Sequence, residues 1–510
     1  MTLPCGSTEQ VLSCPAVSLE VLDLADGSLS DAALKLLFQL LPNTGRSLQR
    51  LDVSGNGRVD AAVVASFTES LANMRCLNLC GSLMGSVKGP LVSFETLSRL
   101  DLLEELDLSN FNLNEVSLGA IERYLLRLSA ASQSPVGEAG PACVLRRLVL
   151  KNCGITGYAA GRIFQAVAGL NLHLDLGSNP LETGIEYLAQ AIGLCCKGTF
   201  GLHLDMVEFR DEADFVKLIQ ALTCNKYICF LSLVGTAPTP TEEALCSPQM
   251  CDALERFFAA NRSVRFLDVS GFSGKLDEGQ LGKGFGRSLR GLAHNKTMTH
   301  LRMRNQNIHD DVGSLGSVIS TNLTLRSVDC QDNNLNLTGL RHLAQRLAGN
   351  QSIVDFPVDR HEQERILARS LPDVPARRSK RKGAPDRHSE DQVTLLRNEI
   401  RHSVLELQSC VERNRTASEG QRGVLSFENA AEAGGSPGWP SLHLRVAKGA
   451  TAPTDADQGC HPNRSAAKSL SDPSLVALLY PYPAPQGDAL PHTPYSTNPV
   501  GQPAHGHGTA

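Results

Sequence analysis

The sequence has no excess of charge of either sign. Its 510 residues carry 48 Lys and Arg against 53 Asp and Glu, a formal net charge of −5. That balance gives no argument for nucleic acid as a partner, which usually demands a basic face. No apolar run approaches the roughly 18 residues of a membrane-spanning helix, so no transmembrane segment is expected. Residues 1–17 have neither a basic start nor a continuous apolar stretch, so no secretory leader is expected either. Fifteen cysteines occur without a CxxC pair, which fits reduced, mostly buried thiols in a cytoplasmic chain. The fourteen histidines form no HExxH or other metal spacing. The glycine run Gly282, Gly284 and Gly286 fits neither a P-loop nor a dinucleotide fingerprint. No cofactor and no catalytic constellation are expected.

What is present is a repeat. Leu-x-x-Leu-x-Leu, with apolar substitutions, recurs from Leu19 to Val358. With the middle Leu as register, the copies fall at 22, 51, 77, 106, 148, 174, 204, 231, 267, 301, 328 and a degenerate 356. Most steps lie near 28 residues, the longer class of leucine-rich repeat, in which a strand is followed by a full helix. Period-2 alternation giving way to period 3.6 within each unit supports this: Leu29, Ala33, Leu36, Leu37 and Leu40 share one helical face after Leu24. The sequence therefore predicts an α/β leucine-rich repeat solenoid of about twelve units over residues 19–371. Asn56, Asn152, Asn179 and Asn333 follow strands and suit turns there. Asn225, Asn261, Asn295, Asn322 and Asn350 each precede the register position by six, where an Asn in the left-handed conformation would close a helix. Four of these read Asn-x-Ser/Thr, so they are expected to be structural corners rather than glycosylation acceptors. The long steps carry surface loops at residues 129–142, 238–248 and 271–286.

In such a solenoid the residues between the leucines face the concave side of the sheet. The residue before the last apolar position is Asp in seven of eleven copies, among them Asp52, Asp107, Asp175, Asp205 and Asp268. Strands lie about 4.8 Å apart, so an Asp row would repel itself and favour a basic partner. Arg302, Arg304 and Arg326 reverse the sign near the C-terminal end. A bipolar face of this kind is expected to bind a protein. His173 and His203, next to Asp175 and Asp205, are expected at corresponding strand positions through repeat similarity.

Residues 1–18 read as a lead-in with no capping helix, which leaves Val21, Leu36 and Leu40 in need of cover. Residues 372–388 form a linker with a basic run, Arg377 to Lys382, open to three readings: a nuclear signal, an anionic-lipid patch giving peripheral membrane contact, or a solvated linker. Residues 389–414 read as an amphipathic helix capped by Ser389, in which Val393, Leu396, Ile400 and Leu407 form a stripe expected to self-associate weakly or dock. Residues 415–510 are rich in Gly, Pro, Ser and Ala and are expected to be disordered.

The repeats resemble the ribonuclease-inhibitor-like class. The order of horseshoe, degenerate last repeat (residues 350–358), helix and Pro-containing tail resembles the CARMIL family of actin capping-protein regulators and related fungal proteins with pleckstrin-homology domains before the repeats. That resemblance implies a cytoplasmic scaffold near the cell cortex, linked to actin-assembly factors and often dimeric through the post-repeat helix. The chain begins too close to Leu19 to hold a pleckstrin-homology domain. Leu490 to Pro494 lacks the spacing and the basic residues of the family's capping-protein motif. The competing reading is a GTPase-activating protein of the Ran type, whose repeats are similar but are followed by an acidic segment. Here the segment after the repeats is basic.

Overall fold

The computed structural model describes residues 19–44, 47–56, 73–81, 97–132, 145–195, 198, 200–239, 246–272, 279–371 and 387–418. Thirteen strands follow one another among them: β1 (Val21–Asp23), β2 (Arg50–Asp52), β3 (Cys76–Asn78), β4 (Glu105–Asp107), β5 (Arg147–Val149), β6 (His173–Asp175), β7 (Phe200–His203), β8 (Glu208–Phe209), β9 (Ile228–Ser232), β10 (Ala237–Pro238), β11 (Phe266–Asp268), β12 (His300–Arg302) and β13 (Ser327–Asp329). All but β8 and β10 join one parallel sheet in chain order, and those two pair separately. Parallel neighbours need a crossover, and between most of them it is a helix. The helices are α1 (Asp31–Thr44), α2 (Glu115–Ser132), α3 (Gly157–Ala166), α4 (Ile185–Leu194), α5 (Glu212–Cys224), α6 (Pro248–Ala260), α7 (Phe285–Ser288), α8 (Val312–Thr321) and α9 (Leu337–Ala348). The predicted α/β leucine-rich repeat solenoid is the fold.

One apolar ladder runs through the sheet: Leu22, Leu51, Leu77, Leu106, Leu148, Leu174, Leu202, Leu231, Leu267, Leu301 and Val328 stand in register and are all buried. Alternation in a strand then sends the residues on either side to the opposite, concave face. The register corrects the sequence reading at β7, where the ladder residue is Leu202 rather than Leu204. The left-handed residue that ends the strand turn lies four positions past the ladder at Asp26, Gly55, Asn110, Asn152, Ser178, Gly235, Asn305 and Asp332; in β7 it is Met206, four past Leu202.

Two sets of buried side chains tie several units to the ones before them. Asn56, Asn179 and Asn333, five past the ladder, donate to carbonyls of their own turn and of the preceding repeat: Asn179 Nδ2 reaches Leu176 O (2.9 Å) and Leu150 O (2.8 Å), while its Oδ1 accepts from Cys153 N and Ile155 N. Asn152 is not one of them. It stands one residue earlier, left-handed, and donates to Asn110 Oδ1, whereas Cys153 fills the buried position and donates to Leu108 O. At the other corner Asn261, Asn295, Asn322 and Asn350 each donate to two carbonyls of the preceding unit, as Asn322 does to Leu292 O (2.6 Å) and Asn295 O (3.1 Å). Asn225, first in this row, donates to Ile192 O. Their backbones are extended rather than left-handed (Asn261 φ −64°, ψ 134°), because the amide does the closing that a left-handed turn would otherwise do.

After the last repeat come α10 (Arg360–Ser370) and α11 (Arg387–Ser418). The amphipathic helix is longer than residues 389–414 at both ends. Of the two roles expected for its stripe, the structure shows docking: Ile400 and Leu407 are buried, Val393 and Leu396 are part-buried, and all four join the core of their own chain. Val404 and Val411 complete the face. Ser403, a polar residue within the same face, is itself buried with its hydroxyl donating to Glu399 O. The lead-in (1–18), residues 372–386 of the basic linker and residues 419–510 lie outside the described residues. At the N-terminal edge Val21 and Leu36 are exposed and Leu40 is part-buried.

Candidate interaction surface on the concave sheet face

Two rows of side chains flank the apolar ladder on the concave side. One row, just past the ladder, reads Asp23, Asp52, Asn78, Asp107, Val149, Asp175, His203, Ser232, Asp268, Arg302 and Asp329. The recurrence of Asp has a local cause. Each carboxylate accepts the backbone N–H two residues on, as Asp52 does from Ser54 (2.9 Å), Asp107 from Ser109 (2.8 Å), Asp175 from Gly177 (2.9 Å) and Asp268 from Ser270 (3.0 Å). This Asx turn steers the chain out of the strand toward its helix. Asp205 was expected in the row but lies two residues beyond His203, where its carboxylate accepts from Ser232 Oγ and Val234 N.

Burial shapes the charge. It raises the carboxyls of Asp52 and Asp107 above their usual range, against hydrogen bonds from Ser54 and Ser109. Burial, with Asp175 nearby, lifts Asp205 to about 6. Burial lifts Asp268 to about 6 as well, although Arg302 pulls the other way. The basic end is compensated internally. Arg302 lies 3.7 Å from Asp268 and 3.4 Å from Asp329, and Arg304 lies 2.6 Å from Asp329. Arg326 does not join this pair: it precedes β13 and reaches toward Ser352 O. The bipolar face is therefore reduced to an acidic stretch and a neutralised arginine cluster.

The row before the ladder holds what the sequence reading missed. Gly201, Phe230, Phe266 and His300 are cross-strand neighbours in β7, β9, β11 and β12. Phe230 stacks on Phe266 (centroids 6.3 Å apart) and Phe266 on His300 (4.4 Å). A strand scan for Leu-x-x-Leu discards the x positions, yet aromatic residues at the same x of adjacent copies were the available signal. His173 and His203 do not occupy corresponding positions: His173 pairs with Gly201, and His203 with Asp175 and Ser232. Their rings meet on the diagonal, Nδ1 of His173 lying 3.2 Å from Nε2 of His203. Gly201 makes this possible, since a Cβ there would come within 2.2 Å of His173 Nδ1 and clash with the ring. Both imidazoles pack against Phe230. Burial, then the neighbouring His203 and Arg147, lowers His173 to about 3, and burial lowers His203 also. The pair is neutral at pH 7. Among the described residues no group of His, Cys, Asp and Glu could hold a metal ion, and no helix is long and apolar enough to cross a membrane.

No family model matches the chain. Among curated proteins it is similar to NACHT, LRR and PYD domains-containing protein 9C of Mus musculus, 26% identical over 269 residues, or 47% of this chain and 26% of that protein. It is similar also to the ribonuclease inhibitor of Sus scrofa, 29% identical over 216 residues, or 37% of this chain and 47% of the inhibitor. The chain thus spans less than half the length of these relatives. Among solved structures, an internalin of Listeria monocytogenes aligns over 70% of this chain and 86% of its own at 13% identity, with a TM-score of 0.31. Registered strands, crossover helices and the two asparagine ladders make this a leucine-rich repeat fold, and the sequence similarity to the ribonuclease inhibitor supports its ribonuclease-inhibitor-like form.

Proposed function

We propose that the chain is a non-enzymatic scaffold that binds a protein partner on the concave face between β6 and β12. One observation carries this reading: on adjacent strands that face holds an aromatic and histidine row, in which His173, His203 and Phe266 are part-exposed and Phe230 and His300 buried, beside the carboxylates of Asp175 and Asp268, with Asp205 two residues past β7. Aromatic anchors ringed by polar groups are the composition of interaction hot spots. The carboxylates favour a basic surface on the partner. The resemblance in domain order supports a finer reading, a cytoplasmic scaffold for actin-assembly factors near the cell cortex.

The full chain should be compared with the triple variant Asp175→Asn, Asp205→Asn, Asp268→Asn. Asn removes the charge and keeps an acceptor oxygen for the Asx turns at residues 175 and 268 and for Ser232 Oγ and Val234 N at residue 205. Binding to the partner should weaken and its salt dependence flatten, since screening acts within about 8 Å at physiological salt. Equal affinity and equal salt slope in the two proteins would reject the concave face as the binding surface. Capture from cytosolic extract, probed for actin-assembly factors, tests the finer reading; failure to retain any of them would remove it and leave the scaffold reading standing.

A further inference from the structure

On the helix-bearing side, in the crossover between β9 and β11, two thiols face each other. Cys246 and Cys251 frame the start of α6 in the segment Cys-Ser-Pro-Gln-Met-Cys, and both are free. Their sulfurs lie 2.8 Å apart, about 0.8 Å from a covalent S–S bond of ~2.05 Å. The backbone on both sides is anchored. Cys246 N donates to Lys283 O (2.9 Å), and Cys251 N donates to Ser247 O (2.9 Å). Between them Ser247 caps the helix by accepting from Met250 N, and its hydroxyl also bonds Glu212. The two sulfurs are held together by this turn rather than by chance rotamers.

The sulfurs differ in environment. Cys246 is buried, at 8% exposure, while Cys251 is only part-buried and also approaches Gly284 O (3.6 Å). The hydrogen bond between the thiols lowers Cys251, with Arg287 adding to the effect, and raises Cys246, which burial raises further. The more accessible sulfur is thus the better thiolate, and the better thiolate is the one that meets an oxidant. Cys153 is the contrasting case, buried and tied to a carbonyl of the neighbouring repeat.

We propose that Cys246 and Cys251 are an oxidisable pair that closes to an intrachain disulfide on reaction with a hydroperoxide. The Cys251 thiolate attacks a peroxide oxygen, the O–O bond breaks, and hydroxide leaves to be protonated to water. The sulfenic acid at Cys251 is then attacked by the sulfur of Cys246; the S–O bond breaks and the oxygen departs as a second water with the Cys246 proton. Two thiols lose two electrons and hydrogen peroxide gains them.

The test uses the full chain treated with hydrogen peroxide, blocked with iodoacetamide and digested with trypsin. One peptide, residues 227–256, carries Cys229, Cys246 and Cys251. After oxidation it should lose the mass of two hydrogens and take up a single alkyl group, on Cys229, and dithiothreitol should restore all three sites. In Cys246→Ser, Cys251 should stop at the sulfenic acid and react with dimedone; in Cys251→Ser, Cys246 should alkylate as fully after peroxide as before it. Full alkylation of both cysteines in the oxidised wild type would overturn the proposal, as would a bond from either of them to Cys229 or to a second chain.

Discussion

Asn414 donates its side-chain amide to the main-chain carbonyl of Asn350 at 3.0 Å, across 64 positions of sequence, and to that of Ile353 at 2.8 Å. Each corner asparagine from Asn261 to Asn350 gives its amide to the preceding unit, so the last corner carbonyl would be left without a donor. Asn414, from α11, supplies it. Arg413 adds a second donor to the same carbonyl at 2.9 Å. The helix is the C-terminal cap that an open solenoid requires.

Removing this cap should be felt locally. Asn414→Ala strips a donor from two buried carbonyls and should cost about 1–3 kcal/mol. Ile400→Ala deletes a side chain buried at 2% exposure and should cost about 2–5 kcal/mol. Hydrogen exchange should quicken over residues 337–370 before it does in the first repeats. The wild-type chain should show no concentration-dependent association through this helix in sedimentation, and Ile400→Asp should promote association by exposing α9. A wild-type dimer lost in that variant would restore the helix as an assembly seam.

Asp205→Asn should stabilise the protein at neutral pH. The folded carboxyl at about 6 lies above its ordinary value, so its contribution is fully present below about pH 4 and is lost as pH rises through 6. At pH 7.5 the neutral variant avoids that loss, a gain of about 1–3 kcal/mol at roughly 1.4 kcal/mol per pKa unit. Melting curves of the two proteins should separate above pH 6 and converge below pH 4; parallel curves would contradict the assignment.

His173 acts with the opposite pH dependence. Its folded value, about 3, lies below the ordinary histidine range. The unfolded chain therefore takes up a proton that the folded one refuses, and stability falls as pH drops from about 6.5 toward 3. His173→Gln should flatten that acid limb in a pH series of denaturant midpoints.

Gly201→Ala should separate the two imidazoles. The backbone accepts Ala, but the methyl occupies the place of the His173 ring, and overpacking of this kind typically costs 1–3 kcal/mol. The displaced His173 should titrate nearer to 6.5, read from its ring protons by NMR. An unchanged His173 titration in a folded variant would mean that the slot is not what positions the pair.

The apolar ladder was legible because burial of the same face of every strand leaves a repeat in the letters themselves. Where two frames were equally apolar, the letters could not choose: Leu202, Leu204 and Met206 alternate perfectly, and only the left-handed Met206 separates the frames. The misplacement of Asp205 and the false equivalence of His173 and His203 follow from that one slip. The docking of α11 was not legible for a different reason. Its stripe announces that something covers it, yet the surface that does so belongs to helices α9 and α10, and nothing local says that it is in the same chain. The Asp row was legible as charge but its local cause was not drawn from the letters, although Asp-x-Ser after a strand is also the signature of an Asx turn.

The corner asparagines bear on how such an array can change length. Each carries its own donor and offers its own carbonyl to the next unit, so copying or deleting one whole unit preserves every pairing inside the array. The exception is the end. Whichever unit comes last must present its corner to Asn414, so the cap fixes the sequence requirements of the final repeat far more tightly than those of any unit within, and insertions or losses by duplication are accommodated ahead of residue 322 rather than after it.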